Sequence, residues 1–174
     1  MAHRETGLNR RNWLKIAGLS AALAARLPGQ ESYGVFQQSP RVLLNEDRLR
    51  LLRREVERRT ARWVQLDMLL QGGAQFPEPA FAYALGHLAT GDADLAAKAI
   101  SAVGPRTGIR GIAQVRDWCR PALKPADLER FDQRLLAATT TLPSNLDDPD
   151  LARDATLAAV ALADDYPKAS ADAL

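Results

Sequence analysis

From Ala80 to Val103 the chain reads AFAYALGHLATGDADLAAKAISAV. Its apolar residues recur three and four apart, at Phe81, Leu85 and Leu88 and then at Leu95, Ala99 and Val103, which lays a stripe along each of two helices. Between the stripes stands Thr90-Gly91-Asp92. Glycine reaches the left-handed conformation that ends a helix. The aspartate carboxylate accepts the free N–H groups of the next first turn. The pattern predicts a helical hairpin with a tight turn at 90–92. Ala82, Ala84, Gly86, Ala89, Ala96 and Ala97 are small enough for its helices to approach closely. A lone hairpin cannot bury its apolar faces, so this one requires neighbours of the same kind.

The flanking sequence supplies them. Asn45 is a good N-cap, and a long helix is expected from 46 to 71, with Leu49, Leu52, Val56, Trp63, Leu66 and Leu70 on one face and Gly72-Gly73 at its end. Its arginines Arg48, Arg50, Arg53, Arg54, Arg58, Arg59 and Arg62 read as a solvated face, with Glu46 four before Arg50 and Glu55 four before Arg59. Aromatics are not interleaved with them, so no nucleic-acid partner is expected. Further helices follow around Ile109, Ile112, Val115 and Trp118, from 126 to 141, and from a cap at Asp150 through Leu162. The clustered Asp147, Asp148 and Asp150 read as capping residues rather than as the paired acids of a hydrolase. KASADAL, from Lys168 to Leu174, looks like the start of one more helix, and the domain is expected to be incomplete at this end.

Composition agrees with an all-α fold: aromatics are 6% of the 174 residues. The single cysteine, Cys119, excludes an internal disulfide framework and any cysteine-based metal cluster, and is expected as a buried apolar residue. No cofactor and no metal site are expected. The net charge of +2 belongs to the N-terminus, because Arg4, Arg10, Arg11 and Lys15 against Glu5 give residues 1–25 an excess of three and leave −1 for the rest.

That N-terminus reads as an address. Asn9-Arg10-Arg11-Asn12-Trp13-Leu14-Lys15 precedes the short apolar run IAGLSAALAA, and Ala22-Leu23-Ala24 fits a small-x-small cleavage site. Arg10, Arg11, Trp13, Leu14 and Lys15 together resemble a twin-arginine export signal, which implies the export machinery as a partner and a periplasmic or secreted location. No permanent membrane span is expected, since no apolar run is long enough. The organisation expected is a signal over 1–25, a Pro/Gly-punctuated linker over 26–40, and a helical domain over 41–174.

Two resemblances follow. Tyr83-Ala84-Leu85-Gly86, Gly91-Asp92 and the alanines after them look like one tetratricopeptide unit, but a step of about 34 residues lands on Asp117 or Leu49 without a recurrence. That likeness implies a helical-repeat protein-interaction module of the cell envelope. The broader match runs through Pro40-Arg41-Val42-Leu43-Leu44, Ala89-Thr90-Gly91-Asp92, Ala96-Ala97-Lys98-Ala99, Asp117-Trp118-Cys119 and Leu123-Lys124-Pro125-Ala126-Asp127. It resembles the N-terminal part of exported α/α-toroid polysaccharide lyases, the heparinase II/III-like and alginate-lyase-like proteins. The resemblance implies antiparallel hairpins in a partial toroid around a cleft for acidic polysaccharide. Cleavage in such proteins is β-elimination by a tyrosine or histidine base.

This chain departs from the pattern at the chemistry. Arg116 stands where an aromatic commonly precedes Asp-Trp, no Asn-His pair occurs, and His87 reads as a packing residue. Tyr166, before Pro167, reads as a helix-ending residue. No catalytic residue is therefore expected, and the isolated chain is expected to be inactive. Arg106, Arg110, Arg116, Trp118 and Asn145 are the candidate residues for carbohydrate binding.

Overall fold

The computed structural model describes residues 39–140 and 148–172. The export-signal residues, the linker before Ser39, Asn145 and Asp147 lie outside the described residues. Among the described residues there are eight α-helices, one 3-10 turn and no strand. The helices are α1 (Glu46–Glu57), α2 (Ala61–Gln71), α3 (Pro79–Thr90), α4 (Ala93–Ala102), α5 (Ile109–Trp118), α6 (Pro125–Thr140), α7 (Pro149–Leu162) and α8 (Pro167–Asp172). The 3-10 turn, Arg120–Ala122, joins α5 to α6. No helix among them is long and apolar enough to cross a membrane.

The expected hairpin is α3 and α4, the most extensively packed pair. Gly91 ends α3 with φ 77°, and its N–H donates to the His87 carbonyl at 2.7 Å. Asp92 caps α4 by accepting from the Asp94 N–H at 2.8 Å. Five of the six small residues are buried as expected, Ala82, Ala84, Gly86, Ala89 and Ala96; Ala97 is exposed. Ala84, Ala96 and Ala99 are fully buried. A Cβ placed on Gly86 would meet Leu70 and Leu95 side-chain carbons at 2.9 Å, so α2 and α4 both rest on bare α3 backbone.

The hairpin's neighbours form a row. Each odd-numbered helix packs on the next odd one, α1 on α3, α3 on α5 and α5 on α7, and each also packs on the even-numbered helix that follows it. Helix α5 is the centre, touching α3, α6 and α7. It is buried without a break from Ile112 through Cys119. Phe81 of α3 meets Trp118 of α5 with ring centroids 5.8 Å apart. Phe131, Leu135, Ala158 and Leu162 close the core from α6 and α7.

The single long helix expected over 46–71 is two helices. Arg59 takes φ 48°, its N–H donates to Val56, and the Thr60 N–H reaches back to the Glu55 carbonyl at 3.2 Å. This is the paired closure of a left-handed helix stop, built on arginine where glycine is usual. Thr60 then starts α2 by accepting from the Trp63 N–H, while its hydroxyl donates to Glu55 at 2.6 Å. The expected Glu55–Arg59 pair is thus replaced by Glu55–Thr60, and Arg50 pairs with Asp47 rather than with Glu46. Helix α7 is capped by Asp148, not Asp150: its Oδ1 accepts from the N–H groups of Asp150 and Leu151.

Candidate functional site

Two polar assemblies surround α5, one buried and one open. In the first, Asp117 anchors the strap at 39–42. Its Oδ2 accepts from the N–H groups of Arg41 at 2.7 Å and Val42 at 2.8 Å, and Ser39 Oγ lies 2.9 Å from its Oδ1. Trp118 Nε1 donates to the Val42 carbonyl at 3.0 Å, so the Asp-Trp pair holds the strap from both sides. The neighbouring Arg116 is fully buried and points the other way. Its Nε donates to Asp132, its Nη1 to the Ala161 carbonyl, and its Nη2 to Asp165 at 2.6 Å.

Arg120 grips both oxygens of the same Asp165 at 2.7 Å, and Arg41 does likewise to Asp164. The Arg120 hydrogen bonds, with Arg116 behind them, hold the Asp165 carboxyl down to about 2. Arg41 lowers Asp164 for the same reason. The nearby Asp132 charge pushes Tyr166 up. Cys119 is buried, and burial pushes its thiol up to about 12, far from a reactive thiolate.

The open assembly is a cleft of about 750 Å³ where the chain enters α3 and α5. Its walls are Pro77 to Phe81, Ala102, the loop from Gly104 to Gly108, the first turn of α5, and Arg153 with Asp154 on α7. The loop is braced from behind. Arg134 donates to the carbonyls of Gly104 at 2.9 Å and Thr107 at 2.6 Å, and Thr107 Oγ1 accepts from the Gly104 N–H at 3.0 Å. With those carbonyls held by Arg134, the loop leads into α5 through Gly108, an N-cap with no side chain to offer. Among the described residues no side chain caps the first N–H groups of α5, and they carry the positive end of the helix dipole.

The cleft's cations differ in how they are held. Arg110 is paired with Glu78, which sits at the N-cap of α3 but makes no capping bond. Arg153 is paired with Asp150 at 2.7 Å and with Asp154 at 2.8 Å. Arg106 is exposed and makes no hydrogen bond or ion pair among the described residues. Such a cleft suits an anion: among the described residues, a cation without a partner stands beside a helix start without a side-chain cap.

Of the candidate binding residues, Arg106 and Arg110 come together in this cleft. Arg116 and Trp118 do not: both are buried and spend their donors on the fold. Asn145 lies outside the described residues. Glu78, Arg134 and Arg153 were not singled out from the sequence, although Pro77-Glu78-Pro79 and Gly104-Pro105-Arg106-Thr107-Gly108 both mark loops running into helix starts. His87 is half-buried, with Nδ1 2.8 Å from the Asp92 carbonyl, a packing role. No group of acidic, histidine or cysteine residues that could hold a metal occurs among the described residues. The chain matches no protein-family model, no curated protein and no solved structure.

Proposed function

We propose that this chain is an exported domain of helical hairpins that binds an acidic polysaccharide in the cleft before α5 and does not cleave it alone. The observation that carries this reading is Arg106, which makes no hydrogen bond or ion pair among the described residues, beside a start of α5 that no described side chain caps, in a cleft of about 750 Å³. That volume is within the usual range for a small ligand, enough for a short stretch of sugar. Uronate carboxylates suit the donors offered: guanidinium N–H groups and backbone N–H groups at a helix start.

The reading draws on the packed hairpins and on the sequence resemblance at 40–44, 89–92, 96–99, 117–119 and 123–127 to the front of a toroid lyase. The cleft lining holds no histidine or tyrosine, and its carboxylates, Glu78 and Asp154, are engaged by arginines. β-Elimination needs a base to take the proton beside the uronate carboxylate, and the lining offers none that is free.

The test is a calorimetric titration with a galacturonate oligosaccharide and with an uncharged oligosaccharide of equal length. The acidic one is expected to bind, Arg106→Ala to weaken it by about tenfold, and the uncharged one to bind no better than background. Ultraviolet absorbance from unsaturated products is expected to stay flat. Equal binding of both sugars would sink the reading, and a strong absorbance rise would sink its non-catalytic part.

A second reading, a protein-interaction module, draws on Leu51, Met68 and Leu69, which are exposed on α1 and α2. Substituting them would then abolish capture of an envelope partner while leaving sugar titrations unchanged.

A further inference from the structure

We infer that Glu78 is an internal competitor for the anion in this cleft, holding Arg110 in reserve and setting how tightly an acidic sugar is taken. This rests on the binding reading above. Glu78 occupies the N-cap of α3, where a carboxylate would ordinarily accept from the helix's own N–H groups. Its side chain makes no such bond. It instead crosses from the α3 entrance to Arg110 on the first turn of α5. The contact joins residues 32 apart in the chain and spans one side of the cleft.

The carboxylate of Glu78 therefore presents to Arg110 the chemical group that a uronate would present. Both partners are about half exposed, 45% for Arg110 and 53% for Glu78. A pair this wet is weak and exchanges readily with a ligand carboxylate. Arg153, by contrast, is held by Asp150 and Asp154 together, on one helix. Arg106 receives the first carboxylate, and Arg110 is released for a second only when Glu78 lets go.

Glu78→Gln removes the competing charge and keeps the side chain's length. Galacturonate oligosaccharide is expected to bind this variant about two- to fivefold more tightly than the parent, with a steeper weakening by salt because one more cation faces the ligand. Glu129→Gln, an equal charge change on the exposed side of α6, is expected to leave the affinity alone. Thermal melting of each variant reports that the fold is kept.

If the parent binds the acidic sugar and loses it with Arg106→Ala, yet Glu78→Gln binds no more tightly, Glu78 is no competitor and the cleft reading survives. Equal tightening by Glu129→Gln would also overturn the inference, since overall charge would explain it. Absence of binding by both parent and Glu78→Gln would overturn cleft and competitor together. Binding gained only by Glu78→Gln would support the competitor in its strongest form.

Discussion

Arg116 shows how far a residue's type can mislead when its surroundings are hidden. In the sequence it is one cation among those offered for a polysaccharide; in the fold it is wholly buried between Asp132, Asp165 and the Ala161 carbonyl. Apolar spacing along 109–119 marks one face, but α5 has neighbours on several sides, and a helix enclosed in that way buries polar positions too. Removing Arg116 takes the arginine from the buried Asp132 and the donor from the Ala161 carbonyl, while Asp165 keeps Arg120. Arg116→Met is expected to cost about 3–5 kcal/mol, read from urea unfolding, and a loss below about 1 kcal/mol would mean the network is far wetter than its burial shows. Gln114, also buried, has an Oε1 with no hydrogen-bond partner among the described residues. Gln114→Met keeps the volume and drops the orphan, and is expected to raise stability by up to about 1 kcal/mol. Asp165 contributes to the pH dependence of stability in acid. Its carboxyl is held below the ordinary 3.8, at about 2, so its stabilising effect is complete above 3.8 and fades as pH falls through 2. Acid unfolding followed over that window should show a shallower decline for Asp165→Asn than for the parent chain.

The helix boundaries were readable wherever the stop was written in glycine. Gly91, with Asp92 after it, forms the turn that the spacing predicts, at φ 77° and with open space around a would-be Cβ. Gly91→Ala therefore meets backbone strain alone, and is expected to cost about 1–2 kcal/mol, checked by the shift in melting temperature. The stop between α1 and α2 was not readable, because an arginine fills the left-handed position and nothing in Arg58-Arg59-Thr60 breaks the helical pattern on either side. The local hydrogen bonds of Thr60 and the burial of Trp63 and Leu70 outweigh the strain at Arg59. Arg59→Gly is expected to stabilise the chain by about 0.5–1 kcal/mol; a destabilised variant would show that the arginine side chain contributes a contact of its own.

A set of hairpins was legible from Gly/Pro punctuation and alanine content, and the row of α1, α3, α5 and α7 follows from packing such hairpins side by side. The cleft was only half legible. Arg106 and Arg110 are near each other in sequence, but Glu78 and Arg153 reach them from other hairpins, and such proximity is a property of the folded row. On the export reading, replacing Arg10 and Arg11 by lysine is expected to leave a reporter fusion on the cytoplasmic side of the membrane, read by fractionation. For the cleft itself, the deciding observation is residue-resolved: amide chemical shifts followed while a galacturonate oligosaccharide is added. The binding reading predicts that Ile109, Arg110 and Gly111, whose N–H groups open α5, shift together with the Arg106 side chain. Shifts confined to α1 and α2, or none at saturating sugar, would contradict it.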